Sequence, residues 1–169
     1  MKLMHTLNLK DELKDKKNEI MKEILMHKKN NKTLDWNVGS IHVCTKYDDY
    51  LYDLFIKKSR KLLNPFTIKN PDLKVWCYFT GLGDSKKDTW HNHLKTSTIN
   101  SVLYLETIKG CGINFRNKKE VWYVEPKEFD FLIFPASLDH LPVTSPTQQR
   151  VSLNLELVCN ENEREIFGS

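Results

Sequence analysis

The chain has 169 residues, 40% of them hydrophobic and 28% charged, with a net charge of +4. That length suits one domain with a real core, and the composition excludes a disordered, fibrous or disulfide-framed chain. No apolar run approaches the roughly 20 residues a membrane helix needs, and the lysines concentrated in Lys10–Lys32 have acids interleaved, so they read as a solvated helix face rather than a nucleic-acid patch.

The N-terminal third reads as mostly helical. Leu3–Leu9 alternates polar and apolar residues and suits a first strand. Asp11–Lys28 has helical spacing, with Asp11 and Glu12 at its positive end and Leu13, Ile20, Met21 and Ile24 near one face. Asn30-Asn31 breaks it. Tyr47–Leu63 is the stronger helix: Leu51, Leu54, Phe55, Leu62 and Leu63 share a face, and Asn64-Pro65 ends it.

After residue 72 the composition changes. Lys74–Phe79, Thr98–Leu105, Gly112–Phe115, Val121–Glu125, Phe129–Phe134 and Arg150–Val158 are short runs rich in branched and aromatic residues. Turn signals separate them: Gly81 to Asp84, Lys109-Gly110, Asn117 to Lys119, Pro126, and Pro142 to Thr147. Short strands at such spacing point to a sandwich or barrel, not a parallel α/β sheet. No linker or repeat divides the chain. The expected organisation is one unit over 1–169, with a helical part at 1–72 packed on an antiparallel β core at 73–160. The four cysteines are scattered without a CxxC, and no basic-then-apolar leader precedes them, so reduced thiols and a cytoplasmic location are expected.

The chemistry concentrates in four residues. In a strand, alternate side chains face the same way roughly 6.5–7 Å apart, so His91 and His93 of Trp90-His91-Asn92-His93 can aim at one metal ion. His140 follows the apolar run ending in Phe134-Pro135, at the mouth of a barrel. Imidazole suits iron, copper, nickel and zinc. His5, His27 and His42 lack such a context. Arg150 opens the next strand with Ser152 on its face. A cation inside a barrel is costly unless it meets an anion, and a guanidinium grips a carboxylate bidentately. The other reading of Arg150 is an ion pair with a structural acid such as Asp130, Asp139 or Glu156.

These residues resemble a family. The stretch Trp76 to Asn154, about half the chain, is similar to the iron(II)/2-oxoglutarate-dependent oxygenases, and within them to a small subgroup of bacteria and phages. The family pattern runs through a Trp-x-Asn strand, a Gly-Asp turn, an HxD or HxH pair, a Ser-Gly-Val-Tyr-Tyr strand, an IFP strand, a distal His and an Arg-x-Ser strand. This chain has Trp76-Cys77-Tyr78, Gly83-Asp84, His91-Asn92-His93, Ser101 to Leu105, Ile133-Phe134-Pro135, His140 and Arg150-Val151-Ser152, in that order.

The resemblance implies a double-stranded β-helix, or jelly roll, of cupin-like form with the N-terminal helices packed on it. It implies an Fe(II) ion held by His91 and His140, with 2-oxoglutarate as co-substrate. His93 stands where the wider family has the aspartate of HxD. It is then a third ligand, or it lies one layer out and water or another carboxylate completes the set. Arg150 and Ser152 would hold the distal carboxylate of 2-oxoglutarate, joined by Tyr104, and Tyr78 would touch its other end. Trp76, Trp90, Phe115 and Phe134 would keep the site dry. The implied activity is oxidative decarboxylation of 2-oxoglutarate coupled to hydroxylation of a small molecule or protein side chain. Competing readings are a three-histidine dioxygenase that needs no 2-oxoglutarate, a non-catalytic cupin-like metal-binding module, and an interaction protein using its helical part.

Overall fold

A computed structural model describes residues 4–30, 40–42, 45–69, 76–80, 89–143, 145 and 148–168, with backbone alone for 28, 40–42 and 76–80. In chain order the elements are β1 (His5–Asn8), α1 (Lys10–Leu13), α2 (Lys17–Asn30), β2 (Ser40–His42), α3 (Asp48–Leu62), β3 (Trp76–Thr80), β4 (Ile99–Glu106), β5 (Ile113–Arg116), β6 (Val121–Val124), β7 (Asp130–Pro135), β8 (Asp139–Pro142), β9 (Arg150–Leu157) and α4 (Glu163–Phe167).

The strands form a six-stranded sheet in the order β1-β7-β4-β9-β3-β2 and a three-stranded sheet in the order β6-β5-β8. Every pairing within them is antiparallel. The two sheets face each other across an apolar cluster in which Val102, Tyr104, Leu132 and Phe134 of the larger sheet meet Ile113, Phe115, Trp122 and Val124 of the smaller. This is the double-stranded β-helix expected from the sequence.

Strand β9 shows how the sequence makes two useful faces. Its residues alternate Arg150, Ser152, Asn154, Glu156 with Val151, Leu153, Leu155, Leu157. The apolar set is buried on the outer side of the sheet with Leu51, Phe55 and Ile166. The polar set faces the other sheet, because successive side chains of a strand point to opposite faces. The period-2 pattern usually marks a half-solvated strand. Here the polar face looks into the interior, and Arg150 and Ser152 are each 2% exposed.

Helix α3 covers the outer side. Leu51, Leu54, Phe55, Ile56 and Ser59 are its buried residues, and Phe55 stacks on Phe131 of β7 at 4.8 Å between ring centroids. Burying one such ring contributes about 1.5–3 kcal/mol. Leu13, Ile20, Met21 and Ile24 join the same core.

Three details differ from expectation. The first helix is broken at residues 14–16, where Lys16 N–H reaches only back to Leu13 O. Leu9 and Leu13 are both fully buried, and the break redirects the chain so that Ile20 and Ile24 are fully buried as well. Helix α4, not anticipated, is capped reciprocally by Asn162 and Glu165, a spacing visible in the sequence. Strands β2 and β8 are the third: three residues, and four ended by proline, are too short to show a period. Gly83, Asp84 and Cys44 lie outside the described residues, as does the side chain of Cys77; Cys111 and Cys159 are buried free thiols.

Candidate metal centre

His140 is carried by β8, paired with Phe115 of β5. His91 is not in a strand. It makes a single antiparallel bridge to His140, with N–H to O distances of 3.1 and 2.9 Å. Two residues on, His93 N–H donates to Ala136 O at 2.9 Å. The His-x-His segment is thus strapped across the β7–β8 link by its backbone, which brings the distant third histidine to the pair. Ring centroids lie 5.2 Å apart for His91 and His93, 4.3 Å for His91 and His140, and 5.2 Å for His93 and His140. One nitrogen from each lies within 4.8 Å of the others.

Hydrogen bonding fixes the tautomers. His91 Nδ1 is 2.8 Å from Thr89 O, His140 Nδ1 is 3.0 Å from Leu138 O, and His93 Nδ1 is 2.9 Å from a Glu156 carboxylate oxygen. All three partners are acceptors, so each Nδ1 carries a proton and Nε2 is the atom each ring has left for a metal. Three imidazoles presented in this way suit a borderline divalent metal. Burial pushes the His140 imidazole down to about 4; its Leu138 contact opposes this, and the proximity of the two other imidazoles adds to it. It is therefore neutral and ligand-ready at ordinary pH.

Glu156 was not singled out from sequence as a site residue. Burial raises its carboxyl, but the hydrogen bond to His93, with Thr96 and the nearby imidazoles, leaves it below the usual range. A signal existed: Glu156 shares the interior face of β9 with Arg150, where an acid needs a partner. Opposite it in register is Asn100 of β4, 3% exposed, whose Nδ2 has no hydrogen-bond partner among the described residues. Asp139 binds outward, accepting from Asn92 at 2.7 Å and Arg116 at 3.0 Å, and these contacts lower its pKa. Arg116 in turn lies over Trp90, 4.5 Å from the ring centroid, so Trp90 braces the rim. Phe134 and Phe115 have ring centroids 5.1 and 6.3 Å from His140.

Arg150 Nη1 donates to Cys111 O, Gly112 O and Val143 O, each at 3.2 Å. The acids considered as its structural partners have other contacts: Asp139 with Arg116, Glu156 with His93, and Asp130 with Asn8 and the Lys127 amide. Ser152 lies directly across from Tyr104 on one side and Tyr78 on the other. The Tyr104 ring lies 5.8 Å from the Arg150 guanidinium carbon. Burial pushes its phenol up to about 12 despite the cation, so it is a hydroxyl donor. The Tyr78 side chain lies outside the described residues.

No protein-family model and no curated protein matches this chain. Solved structures do. A prolyl hydroxylase from Trichoplax adhaerens, in complex with a peptide fragment of the hypoxia inducible factor oxygen degradation domain, is similar with a TM-score of 0.66 at 15% identity, over 96% of this chain and 84% of that one. A prolyl-4-hydroxylase from Pseudomonas putida gives 0.60 at 10% identity, over 94% and 93%. A prolyl 4-hydroxylase from Phytophthora capsici gives 0.61 at 13% identity over 87% of this chain, which spans only 56% of that one. At such identities the likeness is one of fold: the chain has the double-stranded β-helix of these hydroxylases. Among the described residues, no helix is long and apolar enough to cross a membrane.

Proposed function

We propose that this chain is an iron(II)- and 2-oxoglutarate-dependent oxygenase. The observation that carries the reading is the convergence of three histidines, each with its Nδ1 proton engaged, inside a β-helix whose next strand buries Arg150. His91, His93 and His140 hold the metal through Nε2. When bound, iron supplies the open positions and the redox chemistry that couple oxygen to the co-substrate. One oxygen atom enters the succinate formed as 2-oxoglutarate loses carbon dioxide; the other enters a C–H bond of the substrate as hydroxyl.

Arg150, Ser152 and Tyr104 bind the distal carboxylate. The Arg150 guanidinium is bound at Val143 O, just past the end of β8, the strand that carries His140. The carbonyls on Nη1 hold the guanidinium in place, and the Tyr104 hydroxyl adds a donor. The sequence resemblance alone assigns Tyr78 to the other end of the co-substrate; Asn100 offers its unspent amide to a polar ligand, and Phe115 and Phe134 exclude water. The substrate is a small molecule or a protein side chain. Because two of the similar proteins are prolyl hydroxylases of comparable span, a peptidyl side chain is the first to test.

The presence of His93 favours one second reading, a three-histidine dioxygenase independent of 2-oxoglutarate. Anaerobic titration of the Fe(II) protein with 2-oxoglutarate separates them. A weak visible charge-transfer band that grows with co-substrate is expected. Iron binding without the band selects the second reading.

A further inference from the structure

The three histidines are not held alike. His91 and His140 each donate Nδ1–H to a neutral backbone carbonyl two residues before themselves. His93 instead donates to Glu156 of β9, 63 positions away in sequence. The remaining Glu156 oxygen accepts from Thr96 Oγ1 at 3.3 Å. Thr96 belongs to the turn that follows His93, and its backbone N–H donates to His93 O at 2.9 Å, which leaves the hydroxyl for the carboxylate. The carboxylate is therefore tied at both oxygens to the segment that carries the ligand.

Charge gives this contact a purpose. Two histidines and a carboxylate bring one negative charge to a divalent ion, whereas three neutral imidazoles bring none. A carboxylate behind an imidazole restores part of that charge, raises the basicity of Nε2 and fixes the ring's tautomer and angle. The contact needs β9, whose interior face also presents Arg150.

We propose that Glu156 is the positioning carboxylate of this metal centre. It holds His93 with Nε2 turned to the metal, and it supplies from one imidazole away the negative charge that the three ligands lack. The assignment rests on the metal site proposed above and makes His93 a ligand of it.

The test is metal affinity, read by chelator competition with Fe(II) under anaerobic conditions and with Co(II) in parallel. Glu156→Ala is expected to weaken binding by about 10–100-fold. Glu156→Gln keeps an acceptor for Nδ1–H but not the charge, so it should fall between Glu156→Ala and the parent. In a His93→Ala background, Glu156→Ala should cost less than about twofold, because a residue acting through another has nothing left to act on. An affinity unchanged in Glu156→Ala overturns the proposal, as does an equal loss in both backgrounds, which would mark a merely structural role. If His91→Ala and His140→Ala also leave affinity unchanged, the metal site itself falls. Loss in those two with no effect at Glu156 sinks only the positioning role.

Discussion

His91 and His140 are joined backbone to backbone: each donates its N–H to the other's carbonyl, at 3.1 and 2.9 Å. Their rings consequently stand side by side at 4.3 Å. The pairing needs no side chain, so the strap survives replacement of either imidazole. That separates metal binding from folding in the tests below.

His91→Ala, His93→Ala and His140→Ala should each lower Fe(II) affinity by more than about 100-fold, beyond the loss expected for an outer-layer contact. His140 is only 5% exposed, so His140→Ala also leaves a small cavity and its metal-free melting temperature should drop. Iron content after dialysis against chelator checks this. Full retention in His91→Ala and His140→Ala would refute the site, and retention in His93→Ala alone would remove His93 from it.

Arg150→Ala should weaken 2-oxoglutarate binding by about 30- to several-thousand-fold, equivalent to roughly 2–5 kcal/mol. It should also lower the melting temperature, because Cys111, Gly112 and Val143 lose a donor to their carbonyls. Arg150→Lys keeps charge without the fork and should lie between. Isothermal titration beside thermal unfolding distinguishes the roles: lost stability with intact co-substrate binding would make Arg150 purely structural.

The metal-free protein should lose stability in mild acid. His140 titrates near 4 when folded and near 6.5 when unfolded. Above about pH 6.5 both states are neutral and the group contributes no pH dependence. Between about 6.5 and 4 the unfolded chain binds a proton that the folded one refuses, so stability falls as pH falls, by at most about 3 kcal/mol, and levels below that. Urea unfolding at pH 7 and 4.5 should show the difference, and His140→Ala should shrink it. The folded His140 stays neutral over that range, so its own contribution to metal affinity should be lost only as pH approaches 4.

Gly112→Ala should disturb both fold and site. An added Cβ would sit 2.0 Å from Val124 O and 2.8 Å from the Tyr123 hydroxyl. Strands β5 and β6 must part there, at a cost of about 1–3 kcal/mol or more. Gly112 O is also an Arg150 acceptor, so 2-oxoglutarate affinity should fall with stability. Unchanged affinity in a destabilised variant would show that this end of the barrel does not set the position of Arg150.

Much of the architecture was legible. The runs now forming β4, β5, β6, β7 and β9, and the apolar face of α3, stood out because period and composition are local properties. Strand β8 did not, because Asp139–Pro142 has too few residues to show a pattern and is defined by its pairing with β5. The break between α1 and α2 was equally hidden, since Leu13 and Ile20 fit one helical face on paper.

The residue types of the site could be named from their order along the chain: a histidine pair, a later histidine, then an arginine with a serine two residues on. Their assembly could not. The bridge between His91 and His140, the reach of Glu156 to His93 and the carbonyl cradle of Arg150 span tens of residues of chain. Which residues meet there depends on strand register, and a slip of one residue would turn Glu156 and Arg150 to the opposite face. Periodicity shows that β9 has two faces; only the packing of the second sheet against the polar one makes that face the interior of a site rather than a surface in water.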